Sequence, residues 1–256
     1  MPLEIITIPC LQDNYAYLAH DRASGATAII DIPEAAPILA ELSARNWNLT
    51  DVLITHHHDD HIQGLGALLA KYPDARVCGA KADAYRLPPL DVTLAEGDTV
   101  QIGAETGHII DVSGHTIGHI AFHFPDSVAV FTADSLMALG CGRLFEGTGP
   151  QMWASLTKLA ALPANTTVYS GHEYTAANAK FALTIEPTNP DLILRAERIT
   201  AARAARTPTV PSELALELAT NPFLRAAIPS VQAHVGMKGA DPADVFTEIR
   251  ARKDRF

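Results

Sequence analysis

The chain has 256 residues, 48% hydrophobic and 19% charged, with a formal net charge of −10 at pH 7. Such a balance fills one large core, or a core domain with a smaller appendage, and excludes disordered, collagen-like and coiled-coil chains. The acidic surplus argues against nucleic acid as a main partner, because neutralising phosphates takes a basic surface. The surplus is uneven. Residues 1–190 carry 9 of the 19 basic and 21 of the 29 acidic side chains, a net −12, whereas residues 191–256 are at +2. A basic C-terminal part beside an acidic body suits a small anionic ligand, although solvated helix faces give the same counts.

Cys10, Cys78 and Cys141 are odd in number, far apart and form no CxxC, so a reducing compartment without disulfides is expected. The opening Met-Pro-Leu-Glu-Ile-Ile has an acid where a secretory signal has basic residues. No apolar run approaches the ~20 residues that span a bilayer. The expectation is a soluble cytoplasmic protein that acts on a small molecule, as a monomer, without nucleic acid or membrane.

In chain order, Glu4–Pro9, Tyr15–Ala19 and Thr27–Ile32 read as short strands separated by Asp13-Asn14 and Ser24-Gly25 turns. Ala35–Arg45 reads as a helix and Asp51–Thr55 as a buried strand. Ile62–Tyr72 has apolar residues at helical spacing. The short runs Arg76–Gly79, Thr99–Ile102, Thr106–Val112, His119–Phe124 and Val128–Thr132 are further strands. Gln151–Leu162 and Glu173–Thr184 read as helices on either side of a Thr167–Ser170 strand. From about Asn189 strand signals vanish. Asp191–Arg206 follows Asn189-Pro190 as a long helix, then comes a Pro-spaced stretch, then Asp241–Lys253 with Asp241 as N-cap and Pro242 at the first helical position.

The segment His56-His57-His58-Asp59-Asp60-His61 directly follows the buried Asp51–Thr55 strand. In extended chain, side chains at i and i+2 point the same way, so His56 and His58 can share one metal while Asp60 and His61 turn onto a second. Imidazole and carboxylate suit zinc, iron or manganese alike. His57, on the opposite side of the strand, reads as structural or solvated. Three more candidates end other apolar runs beside small residues: His115 in Ser-Gly-His-Thr, Asp134 in Phe-Thr-Ala-Asp-Ser, and His172 in Ser-Gly-His-Glu-Tyr-Thr. His20, His108, His119, His123 and His234 read as surface or satisfied core residues.

This set resembles the metallo-β-lactamase superfamily and, within it, the hydroxyacylglutathione hydrolases (glyoxalase II), over nearly the whole length. The resemblance implies an αββα sandwich over residues 1–172 and a small helical substrate-binding domain over residues 173–256. It implies two divalent ions, zinc foremost with iron or manganese open: one on His56, His58 and His115, the other on Asp60, His61 and His172. Asp134 would bridge them, Asp60 and Asp134 would be the catalytic carboxylates, and Asp31 would orient the ligand loop from behind. Arg250 and Lys253, three apart on one helix face, match the Arg-x-x-Lys that grips the glycine carboxylate of glutathione, and Tyr174 matches a tyrosine on the glutathione backbone. Arg143 and Phe145 stand where that family usually has Lys and Tyr, and Ala133 where it often has Gly before the bridging Asp. Phe145 cannot replace a hydroxyl hydrogen bond.

The chemistry implied is hydrolysis of S-D-lactoylglutathione, or another 2-hydroxyacyl thioester, by a metal-bridging hydroxide. Two metals about 3.5–4 Å apart lower the pKa of a shared water towards ~7, and a thiolate of pKa about 8.5 leaves without a general acid. Persulfide dioxygenase and lactonase readings share the fold, and a non-enzymatic binding protein is the reading from another class. The helical tail argues against the first, Asp134 in place of a cysteine ligand against zinc lactamases, and the full ligand set against the last.

Overall fold

Short apolar runs in the first half of the chain become strands in two sheets. The computed structural model describes residues 1–256. Its residues fall into two compact units, Met1–Asp111 with Ile117–Thr132, and Val112–Thr116 with Ala133–Phe256.

In the first unit, β1 (Glu4–Cys10), β2 (Asn14–His20) and β3 (Thr27–Ile30) form an antiparallel run. Helix α1 (Ala35–Arg45) leads to β4 (Asp51–Leu53), which pairs parallel with β3. Helices α2 (Asp59–Ile62) and α3 (Leu65–Lys71) precede β5 (Arg76–Ala80) and β6 (Val92–Leu94), which extend the parallel half. Every residue of β2 is buried, as in a strand covered on both faces. One face receives Ile38 and Leu42 of α1 and Leu65 and Leu68 of α3, which cluster with Ile8, Leu18, Ile29, Val52 and Val77. Each such aliphatic side chain, fully buried, contributes about 1.5–3 kcal/mol.

A second, antiparallel run in the same unit consists of β7 (Thr99–Ile102), β8 (Glu105–Asp111), β9 (Ile120–Phe124) and β10 (Ala129–Ala133). Tyr17 of β2 meets Phe131 of β10 at a 5.6 Å ring-centroid distance, and Phe131 meets Phe124 edge-on at 6.0 Å. These aromatics join the two sheets.

The helix expected over Ile62–Tyr72 starts later, at Leu65 as α3, and the short helix α2 ends at Ile62 just before it. Gly64 separates them because its backbone lies on the β3–α1 connection: a Cβ there would fall 2.8 Å from Ile32 Cγ2 and from the Ala35 nitrogen. Its N–H donates instead to the Ile32 carbonyl at 2.9 Å.

The second unit holds the β11 (Leu136–Met137) and β12 (Gly140–Cys141) hairpin, then α4 (Gly149–Ala160), β13 (Thr167–Ser170) and α5 (Thr175–Ile185). Helix α4 starts two residues earlier than expected, because Thr148 and Gln151 close a reciprocal capping box. Helix α6 (Pro190–Ala204) starts at Asn189, whose side chain accepts from the Asp191 and Leu192 amides. The Pro-spaced stretch contains β14 (Ser212–Glu213), α7 (Leu214–Thr220) and α8 (Pro229–His234). Strand pairing therefore does not end at Asn189: β13 recruits Ser212 and Glu213, which carry no strand signal of their own. Helix α9 (Pro242–Arg255), capped by Asp241, packs on α4 through Trp153 and Phe246 at 6.1 Å. No helix is long and apolar enough to cross a membrane.

Candidate metal centre

Strands β3 and β4 are parallel neighbours, so the segments leaving their carboxyl ends emerge side by side. One end carries Asp31, the other the loop 54–61. Asp31 has φ 56°, a left-handed conformation that is costly for a non-glycine residue and frequent at functional sites. The turn aims both carboxylate oxygens at the loop: Oδ1 accepts from the Thr55 N–H at 2.9 Å, Oδ2 from the Thr55 hydroxyl at 2.8 Å, and Oδ2 lies 2.7 Å from His61 Nδ1. A carboxylate there holds the His61 proton on Nδ1 and leaves the Nε2 lone pair for a ligand.

His56 and His61 are fully buried, with rings 4.2 Å apart, and His56 Nε2 is 3.1 Å from His58 Nδ1. Asp60, the second residue of α2, is held by Asn14, whose Nδ2 donates to its Oδ2 at 3.0 Å and to its carbonyl at 3.1 Å. The ligand atoms of Asp31, His56 and His61 lie within 4.8 Å of one another. Asp31's oxygens are already committed to Thr55 and His61.

The second unit gathers the other three candidates, each buried. Asp134 Oδ2 stands between two imidazoles, 3.4 Å from His115 Nε2 and 3.4 Å from His172 Nε2. His115 Nδ1 faces the Arg143 carbonyl at 2.7 Å; a carbonyl only accepts, so Nδ1 carries a proton, and Nε2 is the atom turned towards Asp134. Ala133, just before Asp134, has φ 41°. A glycine would adopt that turn without strain, which accounts for the resemblance's usual residue at this place. At Gly142 a Cβ would fall 2.1 Å from the Asp134 carbonyl oxygen and 2.8 Å from His115 Nδ1, so only glycine fits there.

Both clusters suit a divalent ion by their donors: imidazole nitrogens, with the outer nitrogen of His61 and of His115 held by an acceptor, and carboxylates, in surroundings that are buried except at His58 and Asp60. That set fits zinc, iron or manganese better than calcium or magnesium, which prefer oxygen alone.

The proposed substrate residues lie in the second unit. Tyr174 stacks on His172 at 4.6 Å and 6° and is 40% exposed. Phe145 is exposed and meets His115 edge-on at 5.3 Å. Arg143 is exposed, its guanidinium 5.8 Å from the Phe145 ring and its Nε 3.6 Å from Asp254. Arg250, only 6% exposed, donates to the Cys141 carbonyl at 2.9 Å and to Asp254 at 2.9 Å, and lies over Phe223. Lys253 Nζ sits over Phe181 and Phe256 and donates to the Ala177 carbonyl at 3.3 Å. Desolvation first, then neighbouring Arg250, pushes its pKa below the ordinary lysine value. Asn14 went unnoticed in the sequence, where Asp13-Asn14 reads as a turn; no local pattern marks its contact with Asp60, 46 residues away.

Residues 19–172 match the model of the metallo-β-lactamase superfamily, and residues 173–256 match the hydroxyacylglutathione hydrolase C-terminus. A curated hydroxyacylglutathione hydrolase from Jannaschia sp. (strain CCS1) is 70% identical over 253 residues, covering 99% of this chain and 98% of the relative. The chain belongs to the hydroxyacylglutathione hydrolase family. Among solved structures, the BLEG-1 B3 metallo-β-lactamase superposes with a TM-score of 0.67 at 20% identity, covering 86% of this chain and 99% of that one. That likeness bears on the fold alone, and the expected metallo-β-lactamase fold with a helical C-terminal region stands. TTHA1623, solved in a di-iron-bound form, is 26% identical with a TM-score of 0.61, covering 86% of this chain and all of the other. Membership of the hydroxyacylglutathione hydrolase family makes the chain an enzyme, a thioester hydrolase of the metallo-β-lactamase fold, and the dioxygenase and lactonase readings are not favoured.

Proposed function

We propose that this enzyme hydrolyses S-(2-hydroxyacyl)glutathione, S-D-lactoylglutathione foremost, to glutathione and D-lactate. The observation that carries the reading is Asp134 Oδ2 at 3.4 Å from the Nε2 atoms of both His115 and His172, in a chain 70% identical to a hydroxyacylglutathione hydrolase. His56, His58 and His115 would hold one divalent ion and Asp60, His61 and His172 a second, with Asp134 common to both; zinc is the first choice. When bound, such ions acidify a water and supply Lewis acidity at the thioester carbonyl.

The remaining work falls to the chain's own residues. Asp31 and the Arg143 carbonyl keep protons on His61 Nδ1 and His115 Nδ1, so the opposite nitrogens stay available. Asn14 steadies Asp60. Tyr174, Arg143 and Lys253 would bind the glutathione portion, and Phe145 offers an apolar face. Arg250 would act mainly by bracing the Cys141 carbonyl and so the Gly142 backbone against which Asp134 and His115 rest. The departing glutathione thiolate needs no proton donor, its pKa being about 8.5. We further assign the enzyme as a cytoplasmic monomer acting on this small molecule.

Metal analysis, with turnover of S-D-lactoylglutathione followed by thioester absorbance, tests the reading. Two metal equivalents and turnover abolished in Asp134→Asn, with an unchanged far-UV spectrum, are expected. One iron per chain with oxygen consumption on glutathione persulfide, and no thioester turnover, would overturn it.

A further inference from the structure

Asp83 lies outside every role given so far, yet it is a carboxylate only 1% exposed, in the turn that follows β5. Its Oδ1 accepts from Arg86 Nε at 3.0 Å and Nη2 at 2.8 Å, which offsets the charge. Its Oδ2 faces His57 Nδ1 at 3.2 Å. The carboxylate also lies directly under the Gly118 backbone, where a Cβ would come within 2.1 Å of Asp83 Cγ.

Both of these contacts lead to His56. His57 is its chain neighbour in the ligand loop and also meets the His58 ring at 4.8 Å. Gly118 precedes His119, which is fully buried and stacks on the His56 ring at 4.6 Å and 11°. One carboxylate thus anchors the loop that carries His56 and the backbone that supplies the ring against which His56 rests. Burying a charge is expensive, and a site meant only for packing is served as well by an apolar side chain. What an ion pair adds here is direction: Arg86 orients Asp83, and Asp83 orients His57.

We propose that Asp83 is a positioning residue for the metal centre, fixing His56 and His58 through His57 and the Gly118–His119 backbone. The proposal rests on the reading of His56 and His58 as metal ligands. Partners behind metal ligands typically change metal affinity ten- to a hundred-fold when removed.

The test is zinc affinity of the metal-free full chain, measured by competition with a chromophoric chelator, together with melting of the metal-free form. Asp83→Asn should weaken zinc binding ten- to a hundred-fold and lower kcat, leaving KM for the thioester unchanged. A second pair of variants removes dependence on how well that protein folds. His57→Phe deletes the donor and should weaken zinc binding similarly while metal-free melting stays near wild type. His57→Asn can place an amide near the Nδ1 position and should recover most of the affinity. If Asp83→Asn does not fold, the two His57 variants decide the question alone. Wild-type zinc affinity in folded Asp83→Asn, or in His57→Phe, overturns the proposal. So does a loss in His57→Asn equal to that in His57→Phe. Wild-type protein that binds no zinc, iron or manganese would instead defeat the metal reading itself.

Discussion

Cys141 lies one residue before the glycine that supports Asp134 and His115, and its thiol is buried, with a pKa pushed up to about 11. Desolvation is the main cause, opposed by nearby Arg250. Cys10 and Cys78 are raised in the same way, to about 12 and about 11. An acid whose pKa rises on folding keeps its proton in the native state after the unfolded chain has lost it. Native protein then binds more protons, and stability falls as pH rises from the ordinary thiol value of 9.0 to about 11. The melting temperature should fall across that window, and Cys141→Ala should flatten part of the fall. An identical pH dependence in that variant would show that other groups cause it. At neutral pH the same shifts keep all three thiols protonated.

Helices α6 and α7 meet through an ion pair with almost no access to water: Arg195 donates to Glu217, and its other arm reaches the Thr220 hydroxyl at 2.7 Å. Glu217 also accepts from the Leu139 N–H at 2.8 Å and from Asn221 Nδ2 at 3.1 Å. Asn221 in turn donates to the Met137 and Gly140 carbonyls of the β11–β12 hairpin. Leu139, at the hairpin tip, has φ 56° and needs such support. The network ties helices of the C-terminal region to the hairpin that leads on to Gly142. Removing one partner of a buried pair leaves the other charged and unsolvated, at a cost of about 3–5 kcal/mol. Urea denaturation of Glu217→Ala should show a loss of that size, and Arg195→Met in the same chain should restore part of it. A loss below about 1 kcal/mol would mean that water already reaches the pair.

Across the whole molecule, the last 66 residues carry a net +2 beside an acidic remainder of −12. Charge of that pattern favours an anionic ligand on the basic region, and salt should weaken the attraction. Arg250 and Lys253, both on α9, divide the effect. Lys253→Ala should raise KM for S-D-lactoylglutathione by roughly tenfold, the value of one partly exposed charge-assisted contact of about 1–2 kcal/mol. Arg250→Ala should also lower the melting temperature, because it removes the brace on the Cys141 carbonyl. A thioester lacking the glutathione glycine should be insensitive to Lys253. Equal losses on both substrates would mean that α9 supports the fold and does not read the ligand.

What the sequence determined by itself is local. His56, His58, Asp60 and His61 were legible because extended chain turning into a helix brings positions i, i+2, i+4 and i+5 together. Helix α1 was legible to the residue, and the caps Asn189 and Asp241 mark their helices because a cap acts within one turn. His115, Asp134 and His172 stood out only as residues ending apolar runs, and their roles came from a family resemblance; their grouping around one carboxylate oxygen joins positions up to 57 residues apart, which no local pattern encodes. Tertiary structure alone decided the rest. The Gly64 break follows from backbone packed against backbone, and β14 exists because β13 offered unpaired hydrogen bonds to residues of low strand propensity. Asn14 reached Asp60, Asp83 came to lie under Gly118, and Arg250 turned inward, because long-range packing brought distant polar groups within hydrogen-bonding reach, and a buried polar group must find a partner wherever the fold supplies one.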